Sequence, residues 1–554
     1  MSSNSIWISL RNPTFRRLWI ATVISGCCVS AHDTAATWMM HTVSGSPFLI
    51  SLMSTLASLP FFLFTVPAGA LADMVDRRRI LSVMNLWLAS TAGMLAIFGA
   101  LGALNPWIIL VAVFCAGAGF SFYAPAWSAL VPELVAPAEL PSAVTLGGLQ
   151  LNISGIIGPA VGGFLLTQFG APVVFALNAF CFLLVTAAVL SWRRSNLLPR
   201  LPLENFFEAF VSAVRYVRYA PGIQVILVRD VVFSVFISVI PALLPVVGLR
   251  VLNLDSRGLG WLYTSMGIGS VLGAVLVIPQ ARARLSANTL TIVANVIVAC
   301  VFVLMALVTD TRIFLLIAAL AGLGWTLTAA ELWVAGQRAM PNWARGRMNA
   351  THMMVSQGGI ALGGLIWGGL AATAGVQFAL LAAALLLLFS LPLAFPLSID
   401  FTRRLDLEPA PLSTHYHRTF RPPEPSEGPV VVAMEFEIAP TDRWKFLRLM
   451  REMRLTYLRN GAFRWQLDED LEKPNYFRME MLVNSWAEHL QQHERMTKNE
   501  FLTWQRIWRL HQGKEPVVKH YLSRNRELMM RRNGSAQIED APADDLEARA
   551  PLRE

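Results

Sequence analysis

Twelve long apolar segments occupy most of the first 400 residues of this chain. Each has about 20 mostly apolar residues, the length that a helix needs to cross the hydrocarbon core of a bilayer. The bilayer core offers no water to the backbone, so each segment must be helical to satisfy its own N–H and C=O groups. The segments are 16–42, 47–72, 80–102, 106–131, 143–168, 172–192, 223–250, 258–280, 288–308, 312–337, 348–373 and 376–397. We therefore predict an all-α membrane body of twelve transmembrane helices.

Charged residues are few in this body and unevenly placed. Only 15% of the 554 residues are charged, whereas an average soluble protein has about 25%. Around the connections on one side of the bundle, the only arginines are Arg250, Arg257 and Arg312. The other side carries Arg11, Arg16, Arg17, Arg77, Arg78, Arg79, Arg193, Arg194, Arg200, Arg215, Arg218, Arg282, Arg284, Arg338, Arg345, Arg347, Arg403 and Arg404. Positive charge marks the cytoplasmic side, so we expect a multi-pass protein of the bacterial inner membrane with both termini in the cytoplasm.

The longest connection inside the body, residues 193–222, separates two sets of six segments. Apolar residues recur in it at helical spacing, with charged residues between them. The apolar residues are Leu203, Phe206, Phe207, Phe210, Val214 and Val217. This pattern predicts an amphipathic helix that lies on the inner membrane surface.

The two halves repeat weakly at an offset of about 205 residues. The matched glycines are Gly117 with Gly322, Gly158 with Gly363, and Gly163 with Gly368. Two parallel six-helix halves are typical of a transporter that rocks about a site near the membrane midplane. Glycines on one helix face also allow close helix packing, and the two interpretations are compatible.

The connection between segments 2 and 3 is unusually rich in charge. Asp73 and Asp76 lie beside the run Arg77-Arg78-Arg79. A carboxylate there can accept hydrogen bonds from the first amides of a neighbouring helix, or it can pair with an arginine and report a change of state. The alternative is an anchor that only sets topology.

In this connection the chain resembles the major facilitator superfamily, whose pattern is Gly-x-Leu-x-Asp-Arg-x-Gly-Arg-Arg. The matching residues are Gly69, Leu71, Asp73, Arg77 and Arg78, while Met74 and Asp76 replace the first basic residue and the second glycine. The aspartate variant resembles the branch of transmembrane secretion effectors, close to the enterobactin exporters.

This resemblance implies a gating role for Asp73 and Arg77. In many members the aspartate also contacts an arginine of helix 4. Segment 106–131 carries no charge, and the equivalent connection 279–284 has no aspartate. We therefore expect the partner of Asp73 at Arg77 or at the inner ends of helices 4, 5 and 11.

Segment 5 carries a second motif. Gly155, Gly158, Gly162 and Gly163 surround Pro159, and the run resembles the motif of the superfamily's antiporters. Proline removes one backbone hydrogen bond and glycines allow close approach, so the helix can bend against its partner. The resemblance implies efflux.

Ionisable groups inside a membrane are costly and are functional candidates. Asp33 lies roughly 25 Å along helix 1, in the outer half. It is our first candidate for proton coupling or for binding a cationic substrate, because a buried carboxylate can bind and release a proton. The alternative is a static hydrogen-bonded group. Its neighbour His32, and Glu331 in the inner half of helix 10, are further candidates.

Helices 7 and 11 also carry ionisable groups. Arg229 and Asp230 are adjacent, so they point to different faces of helix 7, and we expect a structural salt bridge or snorkelling near its inner end. His352 lies on helix 11. The resemblance implies a cavity lined by helices 1, 4, 7 and 10. Aromatic and Met candidates for its lining are Trp38, Met39, Phe120, Phe122, Tyr123, Phe236, Trp325 and Trp333.

After residue 397 the chain becomes polar. A proline-rich stretch reads as a linker, and the pattern then predicts strand 430–438, helix 440–459, strands 463–467 and 476–483, helix 486–508 and a short strand at 517–518. The order fits a ferredoxin-like fold and resembles small dimeric barrels related to antibiotic-biosynthesis monooxygenases, which implies self-association. His489 and His493 are four residues apart, but their surroundings indicate a solvated helix face, and we expect no metal site.

These patterns together predict a proton-coupled secondary transporter that exports a drug, a siderophore or another metabolite by alternating access. No Gly-x-x-x-x-Gly-Lys-Ser/Thr motif occurs, so no ATP is used by this chain. We expect protons, lipid and a small molecule as partners, no cofactor, no nucleic acid and no enzyme activity. The alternative is a membrane-anchored sensor or enzyme centred on the C-terminal domain. The predicted domains are 1–192, 193–222, 223–397, 398–428, 429–523 and a disordered 524–554.

Overall fold

A computed structural model describes residues 7–191, 214–341, 344–401, 406–410, 423–513 and 515–524. The chain divides into two compact units, a helical body (Met1–Val217 with Pro221–Leu405) and a C-terminal unit (Arg218–Ala220 with Asp406–Glu554). Most of the predicted surface helix 193–222, part of the proline-rich linker and the predicted disordered tail lie outside the described residues.

The body contains the twelve predicted helices. They are α1 Pro13–Ser44, α2 Pro47–Met74, α3 Arg77–Ala100, α4 Pro106–Leu134, α5 Leu140–Phe169, α6 Ala171–Ser191, α7 Pro221–Val251, α8 Ser256–Arg282, α9 Ala287–Leu307, α10 Thr311–Ala339, α11 Arg345–Ala374 and α12 Val376–Ala394. In the described part of the chain, eleven are apolar and long enough to cross a membrane. The twelfth, α1, has 32 residues and includes the charged or ionisable Arg16, Arg17, His32 and Asp33. The prediction of a twelve-helix membrane body is confirmed.

Short polar side chains start many of these helices. The side-chain oxygens of Asn12, Asp76, Asn105, Asp255 and Asp310 accept hydrogen bonds from the first backbone amides of α1, α3, α4, α8 and α10. Helix termini leave backbone amides without a partner inside the helix, and these caps satisfy some of them. The capping residues therefore define where each apolar segment begins.

Glycine contacts confirm that the two halves are repeats. Gly158 of α5 packs on α1, and Gly363, which is 205 residues later, packs on α7. Gly163 of α5 packs on α8, and Gly368 packs on α2. Because α1 corresponds to α7 and α2 corresponds to α8, each matched glycine touches the matching helix. We call the face that carries the α2–α3, α4–α5, α8–α9 and α10–α11 connections the arginine-rich face.

The C-terminal unit is a four-stranded antiparallel sheet with helices. It contains β1 Val430–Glu437, α13 Arg443–Arg459, β2 Arg464–Glu469, β3 Tyr476–Val483, α14 Trp486–Arg495, α15 Lys498–Trp508 and β4 Val517–Leu522. The strand order is β2-β3-β1-β4, with Met434 opposite both Met479 and Val518. This order is that of the predicted ferredoxin-like fold.

The single helix predicted over 486–508 is wrong, because two helices occupy this stretch. Thr497 begins α15 with a capping box, in which its side chain accepts from the amide of Glu500 and the Glu500 carboxylate accepts from the amide of Thr497. The spacing Thr-x-x-Glu is a recognised start signal, so the break was readable in the sequence.

Candidate transport site

A cavity of about 410 Å³ lies among α1, α5 and α8. These helices come from both halves, since α1 and α5 belong to the first and α8 to the second. The lining residues are Ser30, Asp33, Thr34, Leu151, Asn152, Gly155, Pro159, Tyr263, Met266, Gly267 and Ser270. The lining thus combines small polar side chains with apolar ones. It carries one acidic side chain and no basic one.

Asp33 is that acidic residue, and it is accessible although it lies within a long membrane helix. His32 points elsewhere: it is 7% exposed, and its ring centroid lies 4.8 Å from that of Phe175 on α6. Consecutive helix residues face different directions. The structure therefore brings Asp33, but not His32, to the cavity.

The glycine–proline motif of α5 forms one wall of this cavity. Gly155 and Pro159 line it. A Cβ atom at Gly158 would lie 2.6 Å from Cβ of Ser30 on α1, and one at Gly162 would lie 2.6 Å from Cα of Ala31 on the same helix. Such distances leave no room for a side chain, so the motif holds α1 close to α5 beside Asp33.

The same motif joins the two halves. A Cβ at Gly163 would lie 2.7 Å from the carbonyl oxygen of Ser256 on α8, and the hydroxyls of Thr167 and Ser256 are 2.8 Å apart. By contrast, Gly147 and Gly148, at the other end of α5, have open space beside them. Close contact between α5 and α8 therefore extends from the end opposite the arginine-rich face to Gly155 and Gly267 in the middle of the two helices.

The α2–α3 connection is organised by its charges. Asp76 caps α3 by accepting a hydrogen bond from the amide of Arg78 at 2.9 Å. Arg77 forms an ion pair with Glu133 at the end of α4, and the Arg78 guanidinium donates to the carbonyl of Leu190 at the end of α6. The side chain of Asp73 lies outside the described residues, so its predicted gating contact remains a prediction.

The expectation that helix 4 carries no charge is wrong. The predicted segment ends at residue 131. The structure continues α4 through Pro132 to Leu134, so Glu133 belongs to it. The charge that helix 4 offers to the α2–α3 connection is therefore a carboxylate, which pairs with Arg77.

The second half has an equivalent ion pair. Arg282, at the end of α8, donates from Nε to Oε1 of Glu331 on α10 at 2.6 Å. Glu331 is 3% exposed. It does not line the cavity of Asp33, and its position was predicted correctly to lie in the half of α10 near the arginine-rich face.

Arg229 and Asp230 point to different neighbours, as expected for adjacent helix residues. Arg229 donates to Asn288 and, at 2.5 Å, to Oγ1 of Thr291, both on α9. Asp230 instead faces α11, where its Oδ2 lies 3.9 Å from Nε2 of His352.

The cavity of Asp33 is not lined by the aromatic residues that the resemblance suggested. Trp38 and Met39 pack in the core around α1, α2 and α3, and Phe120 packs on Phe182 of α6. The sequence reasoning named Asp33, Gly155 and Pro159 among the lining residues. It missed Ser30, Thr34, Leu151, Asn152, Tyr263, Met266, Gly267 and Ser270. No periodic pattern marks them, because the lining depends on how helices rotate against one another.

The histidines of the C-terminal unit are not on a solvated face, so that interpretation is wrong for His489. It is 1% exposed, and its Nε2 lies 3.1 Å from Nε2 of His520 on β4 and 3.4 Å from Nε2 of His493. Gln492 is also buried. Within the described residues, no group of three or more His, Cys, Asp or Glu side chains is arranged to hold a metal ion.

Solved structures share the fold of the body. A bacterial homologue of the human lysosomal transporter Spinster, in an inward-facing and unoccupied conformation, superposes with a TM-score of 0.55 at 17% identity and covers 71% of this chain and 98% of its own. The nucleoside transporter NupG gives a TM-score of 0.54 at 13% identity and covers 70% and 99%. The likeness shows that the body has the fold of these transporters.

The family profile described as transmembrane secretion effector matches residues 4–528, and the chain belongs to this family. Curated relatives include the macrolide efflux protein A of Streptococcus pyogenes, 23% identical over 47% of this chain and 65% of that protein. The multidrug efflux pump Tap of Mycolicibacterium fortuitum is 24% identical over 68% of this chain and 92% of the pump. The enterobactin exporter EntS of Salmonella typhi is 26% identical over 65% of this chain and 86% of the exporter.

Proposed function

We propose that this protein exports an amphipathic, cationic small molecule from the cytoplasm in exchange for protons. In this proposal it lies in a bacterial inner membrane, and the arginine-rich face and both termini are cytoplasmic. The family to which it belongs and the efflux activities of its relatives support export.

The observation that carries the proposal is the isolation of Asp33. It is the one charged side chain among the lining residues of a cavity shared by both halves. A carboxylate at membrane depth is costly unless a proton or a cation neutralises it. A single carboxylate that binds either a proton or a cation couples the transport of the two. Binding of the proton releases the cation, and binding of the cation releases the proton.

The rest of the lining favours a cation with apolar parts. A volume of about 410 Å³ falls in the range of roughly 300–1,000 Å³ that is usual for small-molecule sites. Leu151, Pro159 and Met266 offer apolar surface, and Asn152 and Tyr263 offer hydrogen bonds. An anionic siderophore would need a basic residue, which this lining lacks.

The glycine seams between the halves support alternating access. Gly163 meets α8, and Gly364 and Gly368 meet α2. Surfaces without side chains can separate and close again with little repacking. We infer that these seams open toward the opposite face after the substrate binds.

The test uses purified full-length protein in proteoliposomes, with ethidium as the cationic probe and an internal pH dye. Wild type is expected to move ethidium against an opposing proton flux. Asp33→Asn is expected to lose at least tenfold in both fluxes. His32→Asn is the matched control, because it changes the neighbouring residue that faces α6, and it should retain both. Coupled flux that is unchanged in Asp33→Asn would overturn the role of Asp33.

A further inference from the structure

We propose that Asp230 and His352 form a second proton-binding site, inside the C-terminal half and separate from Asp33. Asp230 lies on α7 and His352 on α11. The pair is between the cavity level and the arginine-rich face, about ten residues from the start of α7 and seven from the start of α11. Sequence reasoning assigned Asp230 only a structural salt bridge.

The pair is buried and incompletely bonded. The Asp230 and His352 side chains are 4% and 9% exposed, and Oδ2 lies 3.9 Å from Nε2. This distance is too long for a hydrogen bond. Oδ2 of Asp230 and Nδ1 of His352 have no hydrogen-bond partner among the described residues. Buried polar atoms without partners are rare, and they require an explanation such as a functional role.

No neighbouring charge neutralises Asp230 in the described part of the chain. Arg229 is directed to α9 and also donates to the carbonyl of Leu397 at 3.4 Å. Glu331, the acidic residue of α10 in this region, is held by Arg282. On α11, Arg345 lies nearly two turns from His352. The side chains of Arg347 on α11 and of Asp73 on α2 lie outside the described residues.

Helix α10 packs against the His352 side of the pair. The Trp333 ring meets the His352 imidazole edge to face, with centroids 5.3 Å apart. Gly336 faces Nδ1 of His352, which would be 4.0 Å from a Cβ at that position. Neither residue offers Nδ1 an acceptor or a donor, so α10 covers the imidazole without fixing its protonation.

These surroundings make one proton exchangeable. With one shared proton the pair is neutral, either as carboxylic acid with imidazole or as carboxylate with imidazolium. Without it the pair has a net charge of −1, which is costly in this setting. The proton is therefore retained until water or a rearrangement of α7 and α11 stabilises the charge.

The seam between α7 and α11 connects this proton to the motion of the halves. One turn deeper, the hydroxyls of Ser234 and Ser356 are 3.1 Å apart. Three turns beyond His352, Gly363 packs on the α7 backbone at Val235, and α11 continues into its contact with α2 of the other half. A change of charge at Asp230 and His352 thus acts on the helix that joins the halves.

The first experiment measures titration without any substrate, so it does not depend on the proposed export function. The tryptophan fluorescence of full-length protein in detergent is recorded from pH 4.5 to 9, and the Trp333→Phe signal is subtracted. Protonation of the adjacent imidazole should quench Trp333. We expect a single titration that His352→Gln abolishes and that Asp230→Asn moves by about one pH unit. Absence of a Trp333-specific titration, or its persistence in His352→Gln, overturns the site.

The second experiment tests use of the site and rests on the proposed function. Ethidium export is measured against pH in proteoliposomes for Asp230→Asn, with Val228→Ala, at an exposed position of the same helix, as the control. We expect the pH profile of export to change by at least threefold only in Asp230→Asn. An unchanged profile overturns a role in coupling. If Asp33→Asn leaves coupled export intact while Trp333 still titrates, the role of Asp33 fails and the second site stands. If wild type moves no ethidium while Trp333 still titrates, the proposed function fails and the second site stands.

Discussion

Arg282 donates from Nε to Oε1 of Glu331 across 2.6 Å, and the same arrangement occurs in the other half between Arg77 and Glu133. The offset of 205 residues that relates the repeated glycines also relates Arg77 to Arg282. In each half, an arginine from the connection after the second helix holds a glutamate of the fourth helix. The two glutamates do not occupy equivalent positions along α4 and α10, so only the arginine is part of the repeat.

Removing Arg282 should destabilise the body, because it leaves the carboxylate of Glu331 buried without a partner. Breaking a buried ion pair from one side costs about 3 kcal/mol or more. We expect Arg282→Ala to lower the melting temperature clearly in detergent. Adding Glu331→Gln should recover most of the loss, since the unpaired charge is gone. A double variant as unstable as Arg282→Ala would contradict this account.

The ion pair of the first half should contribute less to stability. The side chains of Arg77 and Glu133 are 26% and 18% exposed, and partly solvated pairs contribute about 1 kcal/mol or less. Glu133→Gln should therefore barely change the melting temperature. If the pair belongs to the gate, the same variant should change the rate of ethidium export, and an unaltered rate would leave the pair only structural.

Side chains at the α5–α8 seam should block export. Gly163→Val places two methyl groups against the backbone of Ser256 and Gly260, and overpacking of this kind costs about 1–3 kcal/mol. We expect lower thermal stability and loss of ethidium export. Gly369→Ala on α11 is the control, because its Cβ meets open space. Normal export by Gly163→Val would refute a moving seam at this position.

Thr497→Ala should loosen α15 alone. The change removes one bond of the capping box with Glu500, which typically costs about 1 kcal/mol. Hydrogen exchange of peptides from residues 498–508 should become about fivefold faster. Thr503→Ala, in the middle of the same helix, should change exchange much less. Equal effects of the two substitutions would show that the cap is unimportant.

The C-terminal unit should lose stability at high pH through Tyr457. Burial raises the pKa of this phenol, and a hydrogen bond from Nε1 of Trp504 at 3.0 Å lowers it in part. The folded state thus keeps the phenol proton at pH values above about 10, which is the pKa of tyrosine in the unfolded chain. The stabilisation by protonated Tyr457 is therefore complete below about pH 10 and declines as the pH rises further. Scanning fluorimetry of wild type and Tyr457→Phe from pH 8 to 11 should show a steeper loss in wild type. Parallel curves would contradict this.

Local patterns were enough to predict most elements. Apolar length identified the segments of α1 to α12, and the local residue pattern identified β1 and β3, because both reflect what a single segment must bury. The errors lie where a local rule met a longer-range contact. The predicted fourth segment ended at residue 131, but α4 continues to Leu134 and places Glu133 against Arg77. His489 appeared polar in its own helix, but β4 brings His520 over it.

The sequence by itself determined that the first 400 residues form twelve membrane helices in two repeated halves, because a bilayer allows apolar segments of this length no other backbone structure. It also identified Asp33 as a functional candidate, because an ionisable side chain inside a membrane is energetically costly. Only the tertiary structure decided that Asp33 faces a cavity while His32 faces α6, and that Asp230 meets His352. The reason is physical: a rotation of one residue changes a helix face by about 100°, and the packing of neighbouring helices, which no single segment encodes, sets that rotation.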